Sequence, residues 1–186
     1  SLFSDNIFLS FESSLFYFRV GIFSCVFWYL IEKEKKILKT TVPITVKISP
    51  DIEDQNINII SDLVLKHNVD ALIVSNTTDK NRENLSNINK LEKGGLSGKP
   101  LEKRSNELIN KFYKILKNKV KIIGVGGVDS GQSAYQKIIS GASLVQLYTG
   151  MIYQGPSIAS KISEELINIL DKEGVKNISD IVGSKN

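Results

Sequence analysis

A lysine stands inside a β-branched apolar run at Lys47, in "VPITVKIS" (residues 42–49). An ammonium surrounded by Ile and Val is costly without a partner. Lys47 therefore either reaches solvent from an edge strand or is a cation aimed at an anionic ligand. A second apolar run, "ALIVS" (71–75), leads into Ser75, Asn76 and Thr77. Their hydroxyls and amide offer donors and acceptors to a small polar ligand, although the same residue types also build turns. "KGGLSGKPL" (93–101) sets three glycines in five positions, ending at Gly98, with Ser97 expected to cap the helix that follows. Backbone amides approach a ligand closely where no Cβ intervenes; a plain surface loop is the alternative. In "GVGGVDSG" (124–131), Gly126 and Gly127 follow a third apolar run, and Asp129 or Ser130 can cap a helix starting near Gly131. Unpaired N–H groups at a helix start favour a phosphate. Tyr148 and Thr149 end the next run and would bring N–H groups and a hydroxyl to the same anion.

The elements that position these residues are readable from period and breakers. Short β-branched runs at 42–49, 71–75, 121–125 and 143–148 read as strands. Between and after them, 52–68, 101–118, 131–141 and 157–174 read as helices, the first capped by Asp51 and the last closed by Gly174. Leu108, Ile109, Phe112, Tyr113 and Leu116 share one side of the second helix, as Ile59, Ile60, Leu63 and Leu65 roughly do in the first. Strands that are nearly all apolar and alternate with helices predict a parallel sheet covered on both faces. A dinucleotide fold would carry its glycines at the first turn, with an acidic residue about 20 positions on. Here the glycines come late, where a (β/α)₈ barrel places its phosphate cradle, after the seventh and eighth strands. The four units thus read as strands five to eight, about half of a TIM barrel, and half a barrel leaves two sheet edges to be covered.

Composition sets outer bounds. The 186 residues suffice for one core, and 41% hydrophobic with 24% charged residues is a globular balance. The net charge of +4 comes from Lys interspersed with Glu and Asp, with no basic block interleaved with aromatics, which argues against a nucleic-acid groove. One Cys and one His exclude a disulfide framework and a Cys/His zinc site, so no metal is expected.

Composition also breaks near Glu32. Seven of the 8 Phe, the only Trp and the only Cys precede it, whereas twelve of the 13 Gly lie from Gly94 onward. "LFYFRVGIFSCVFWYLI" (15–31) is just long enough to cross a thin bilayer, but it contains Arg19 and more aromatics than Leu. The other reading is a strand-plus-helix piece that packs on the rest of the domain. No lysine-rich stretch precedes a small-residue cleavage site, so a secretory signal is not indicated.

"VKISPD" (46–51), "IVSNTT" (73–78), "GGLSGKPL" (94–101), "IIGVGGVDSGQSA" (122–134) and "GASLVQLYTGMIYQGP" (141–156) together resemble dihydroorotate dehydrogenase, and within it the quinone-using class 2. The resemblance covers residues 32–183 in order and spacing. It implies a (β/α)₈ barrel that binds FMN, oxidises dihydroorotate to orotate in pyrimidine synthesis and passes electrons to a quinone at a bacterial or mitochondrial inner membrane. It also implies that Lys47 contacts the isoalloxazine, that Ser75 lies beside the flavin, and that Gly98, Gly127, Tyr148 and Thr149 contact FMN. Asn76 and Thr77 would hydrogen-bond orotate.

The class 2 base is a serine in an Asn-Ser-Ser-Pro-Asn type motif ahead of the lysine strand. Here only "FESSLF" (11–16) stands in its place, so no catalytic base is assigned, Ser13 and Ser14 being the sole candidates. The first half of the barrel and the segments for quinone and membrane are not matched. The expectation is a carboxy-terminal part of the enzyme over 32–186, preceded by an atypical segment, 1–31, of frame-shifted or other non-native origin. Two other readings account for some of the residues: a non-redox phosphate-binding barrel such as an isomerase or synthase, and an inactive half-barrel that pairs with a partner or with itself.

Overall fold

The computed structural model describes residues 8–10, 28–37, 39, 41–80, 82–83 and 85–185. β1 (Phe8–Ser10), β2 (Thr45–Ile48), β3 (Ala71–Val74), β4 (Lys121–Val125) and β5 (Leu144–Gln146) form one sheet in the order β1-β2-β3-β4-β5, every pair parallel. Around it run α1 (residues 28–37), α2 (Asn56–Lys66), α3 (Glu102–Leu116), α4 (Gly131–Ser140), α5 (Thr149–Gln154) and α6 (Ile158–Lys172). The expected α/β architecture with a parallel sheet is present. Five strands stand where four were expected. The extra one, β1, comes from the aromatic-rich segment and pairs Phe8 with Thr45 and Ser10 with Lys47.

Alternation along each strand divides the sheet into two faces. Val46, Ile48, Leu72, Val74 and Ile122 join one buried cluster with Ile57, Ile60 and Val64 of α2 and Leu108, Ile109, Phe112 and Leu116 of α3. On the opposite face, the register aligns Lys47, Ile73, Ile123 and Leu144 in a single row. The α3 stripe is the expected one. On α2 it is turned: Ile57, Ile60, Ser61 and Val64 are buried, whereas Ile59 is 49% exposed. The facing is set by packing of Ile57, Ile60 and Val64 against the sheet and α3, and the helix start also differs from the expected one. Asp51 does not cap α2; its carboxylate accepts from Thr78 Oγ1 and from the Asp79 amide, and Gln55 occupies the cap position without a side-chain bond.

Arg104 of α3 locks the β2–α2 connection by donating to the carbonyls of Pro50 (3.0 Å) and Ile52 (2.8 Å). Lys111 hydrogen-bonds Asp54 beside it and holds that carboxyl below its ordinary pKa. Of the two cap candidates at α4, Ser130 is the one used, in a reciprocal capping box with Ser133, and Gly174 follows the C-cap of α6 with φ +69°.

The composition break at Glu32 falls inside α1. Trp28 packs against the main core and stacks on His67 at the C-terminus of α2, with ring centroids 5.0 Å apart and planes 6° from parallel. Burial there lowers the His67 pKa. Of the strand-plus-helix reading of 15–31, only residues 28–31 are described, and they lie in α1. The membrane-span candidate, 15–31, lies mostly outside the described residues, as do Ser13 and Ser14. Among the described residues, no helix is long and apolar enough to cross a membrane.

Phe112, fully buried between the sheet and its helices, should lose about 3–5 kcal/mol of stability on Phe112→Ala. Ile59→Ala, on the exposed side of α2, should change it by less than about 0.5 kcal/mol. Urea unfolding followed by circular dichroism measures both; equal losses would contradict the observed facing of α2.

Candidate functional site

All strands run the same way, so the loops after β2, β3, β4 and β5 gather at one end of the sheet, where parallel α/β folds collect their chemistry. They enclose a cleft of about 870 Å³ whose lining includes every residue singled out from the sequence: Lys47, Ser75, Asn76, Thr77, Gly98, Gly127, Tyr148 and Thr149. A smaller cavity of about 610 Å³ opens between Arg82 and the segment 90–94 and holds none of them.

Lys47 is half-buried, and no carboxylate or carbonyl among the described residues is bonded to its ammonium. The ladder continues from its neighbour: the Ile48 carbonyl accepts from the Asn76 amide at 2.8 Å, which sets Asn76 beside the end of β2. Ser75 is buried and its amide donates to the Val125 carbonyl (3.3 Å), while Asn76 is half-buried and Thr77 exposed to the cleft. Thr78 and Leu96 exchange backbone bonds of 3.1 and 2.7 Å, an isolated antiparallel bridge that seats the glycine loop against the β3 loop. Ser97 does not cap a helix. Its hydroxyl accepts from Thr149 Oγ1 (2.9 Å) and so ties that loop to the end of β5, while Gly98 begins the short helical turn Lys99–Leu101.

The connection from 79 to 94 is held by Arg82. Its guanidinium donates to the carbonyls of Lys90 (3.2 Å), Glu92 (2.6 Å) and Gly94, and lies 3.9 Å from Asp79.

The candidate anion cradle differs in detail from the sequence expectation. The start of α4 is already satisfied: Glu165 Oε2 accepts from the Gly131 amide (2.6 Å), Ser133 Oγ from the Asp129 and Ser130 amides, and Ser130 Oγ from the Ser133 amide. By contrast, the amides of Gly126, Gly127, Tyr148 and Thr149 donate to no group among the described residues. Gly127 sits at φ +76°, and a Cβ there would stand 2.5 Å from Glu102 Cβ, so only glycine carries the chain through this turn. Tyr148 and Thr149 also sit differently: β5 stops at Gln146, and Thr149 opens the unexpected short helix α5. Lys99 stands over this region, bridging Glu102 (2.7 Å) and Asp129 (3.4 Å), and those carboxylates raise its pKa.

A match to the dihydroorotate dehydrogenase family model spans residues 23–170. The chain belongs to the dihydroorotate dehydrogenase family. It is 44% identical over 154 residues to dihydroorotate dehydrogenase (quinone) of Trichodesmium erythraeum, covering 77% of this chain and 40% of that protein. The mitochondrial dihydroorotate dehydrogenase (quinone) of Arabidopsis thaliana is 43% identical over 143 residues, covering 76% of this chain and 31% of that one. Among solved structures, the ferulenol complex of the Eimeria tenella dihydroorotate dehydrogenase superposes with a TM-score of 0.74 at 42% identity, over 77% of this chain and 38% of that one. The chain therefore spans about two-fifths of the length of the curated relatives it matches, and its sheet is a partial barrel of this family. The dihydroorotate dehydrogenase match begins within the aromatic-rich segment, upstream of Glu32.

One buried group near the cleft had no place in the sequence reading. Lys137 of α4 is fully buried and donates to Ser105 Oγ and to Asn106 Oδ1, both at 3.0 Å. The signal was present: Lys137 follows Ala134 by three positions and precedes Ile138, so it lies on the apolar side of α4. Burial pushes its pKa down to about 8, with Glu102 opposing that shift and Lys99 adding to it. Since the folded value is lowered, the charged form burdens the folded state fully below pH 8. That burden is relieved as pH rises from about 8 to the ordinary lysine value. The difference in unfolding free energy, wild type minus Lys137→Met, should therefore grow by about 3 kcal/mol over that interval. Denaturant unfolding at several pH values measures it, and a pH-independent difference would show that Lys137 keeps an ordinary pKa.

Proposed function

We propose that the chain provides the FMN- and dihydroorotate-facing part of a quinone-linked dihydroorotate dehydrogenase, an oxidoreductase of pyrimidine synthesis associated with a membrane. One observation carries the reading: Lys47, Ser75, Asn76, Thr77, Gly98, Gly127, Tyr148 and Thr149, from loops up to about a hundred residues apart, line a single cleft. The residues fit the cofactor. The amides of Gly126, Gly127, Tyr148 and Thr149 offer donors to a phosphate and the half-buried ammonium of Lys47 offers a cation across the cleft, none of them bonded among the described residues. Gly98 keeps the wall open, since a Cβ there would lie 3.0 Å from Thr149 Cγ2.

FMN, when bound, supplies a ring system that accepts hydride from dihydroorotate. Lys47 holds a fixed positive charge in a site only partly open to water, where preorganised charge is worth more than in bulk solvent. Ser75, buried behind Asn76, restricts the position of the β3 loop. Asn76 and Thr77 present amide and hydroxyl groups to the polar edge of dihydroorotate or orotate and orient it. The chain is assigned no catalytic base, and removal of the substrate proton falls to a group outside the described residues. The names of the relatives, one of them mitochondrial, support a quinone as acceptor. No nucleic acid is invoked.

Titration of the purified chain with FMN, read by quenching of flavin fluorescence, should show saturable 1:1 binding. Lys47→Ala should weaken it about tenfold, the scale of one charge-assisted hydrogen bond. Asn76→Ala should leave FMN binding within twofold and weaken orotate binding to the FMN-loaded chain by about tenfold or more. A chain that binds a sugar phosphate but not FMN would overturn this reading in favour of a non-redox phosphate-binding barrel. A dimer that binds neither would favour a pairing module.

A further inference from the structure

The Lys137–Ser105 pair lies on the helix side of the sheet, and neither side chain hydrogen-bonds a residue proposed to hold FMN or orotate. Its connections nevertheless lead there. Lys137 Nζ donates to Ser105 Oγ at 3.0 Å, so the serine oxygen accepts from the amine and its own proton must go elsewhere. Two carbonyls are in reach, Val125 at 2.5 Å and Val74 at 3.3 Å. These are the last residues of β4 and β3. The Val125 carbonyl also accepts from the Ser75 amide at 3.3 Å. The last paired residues of the β3–β4 ladder are Val74 and Gly124, and beyond them the two chains diverge into their loops. At this fork a single hydroxyl, oriented by a buried amine, spans both.

The strand is shaped to admit the amine. Gly124 is the residue of β4 on the helix side at this level, and a Cβ there would lie 3.0 Å from Lys137 Cδ, 3.0 Å from Ala142 Cβ and 3.1 Å from Ile109 Cδ1. A glycine in the middle of a strand weakens it and marks a close approach; the approaching group here is the lysine stem. Asn106 Oδ1 supplies the second acceptor at 3.0 Å, so the two acceptors are matched to the amine without a direct carboxylate partner. What sets this amine apart from one that is merely satisfied is that one of its acceptors, Ser105 Oγ, in turn reaches the carbonyls that end β3 and β4.

We propose that Lys137 is a positioning residue: through Ser105 it sets the spacing between the Ser75–Thr77 loop and the Gly126–Gly127 loop, and so the distance between the substrate side and the phosphate side of the cleft. This rests on the assignment of those two loops to orotate and FMN. It adds a residue outside the ligand shell whose effect on binding passes through two backbone carbonyls.

The test compares the full chain with Lys137→Met, Ser105→Ala and the double variant. In Lys137→Met, hydrogen exchange at the bonded amides of Ser75 and Asn76 should quicken about tenfold and the NMR amide shifts of Gly126 and Gly127 should move, while amides of α2 and α6 exchange as in wild type. The FMN dissociation constant should rise about tenfold in each single variant and no further in the double, because both substitutions break one connection. If Lys137→Met does not fold, Ser105→Ala carries the same comparison, since it removes only a hydroxyl. Unchanged exchange at Ser75 and Asn76, an equal acceleration throughout the chain, or additive losses in the double variant would each overturn the proposal. A wild-type chain that binds no FMN would overturn the cofactor assignment alone, because the exchange comparison still decides whether the pair holds the two loops.

Discussion

The ladder that runs from Lys47 through Ile73 and Ile123 to Leu144 is the constraint on which the rest depends. With all strands parallel and this register kept, β2 to β5 end within about a residue of one level and the loops that follow them open on the same side. The hydrophobic cluster of Val46, Leu72, Ile122, Ile109 and Phe112 enforces the register, because a slip of one residue would turn the buried side chains to the other face. Burial of side chains that touch no ligand therefore determines where Asn76 and Gly127 stand relative to one another.

The fold and most of the cleft were legible because they rest on residues whose local cost is high. Glycines at 98, 126 and 127, with φ of +78°, +108° and +76°, occupy backbone states that other residues rarely adopt, and a lysine in a β-branched strand asks for an anion. Features decided by tertiary competition were not legible. Asp51 is a good cap by type, yet Thr78 and Asp79 take its carboxylate from across the fold. Ser97 is likewise drawn to Thr149, and the start of α4 is closed by Glu165, 34 residues further on. Long-range partners of this kind leave no period or spacing in a chain. α1 was obscured for another reason: the change in composition at Glu32 suggested a boundary, whereas the helix passes through it and sets Trp28 on His67.

The two faces of the sheet also explain why polar groups appear on both. On the helix side, no buried side-chain polar atom among the described residues lacks a partner, with Ser61 bonded to the Ile57 carbonyl and Lys137 to Ser105 and Asn106. On the cleft side, the Lys47 ammonium and the amides of Gly127 and Thr149 have no such match among the described residues. A folded chain keeps unmatched donors where water or a ligand can reach them, and the contrast separates structural polarity from polarity available for recognition.

Arg82 gives the cleft a mechanical character of its own. By gathering the carbonyls of Lys90, Glu92 and Gly94, one side chain closes a loop of a dozen residues as a clasp would, with no covalent link. Much of the conformational freedom a loop of that length would otherwise forfeit when a ligand arrives is already forfeited on folding. The rim is in place before anything binds, so a ligand meets a doorway and has no curtain to gather.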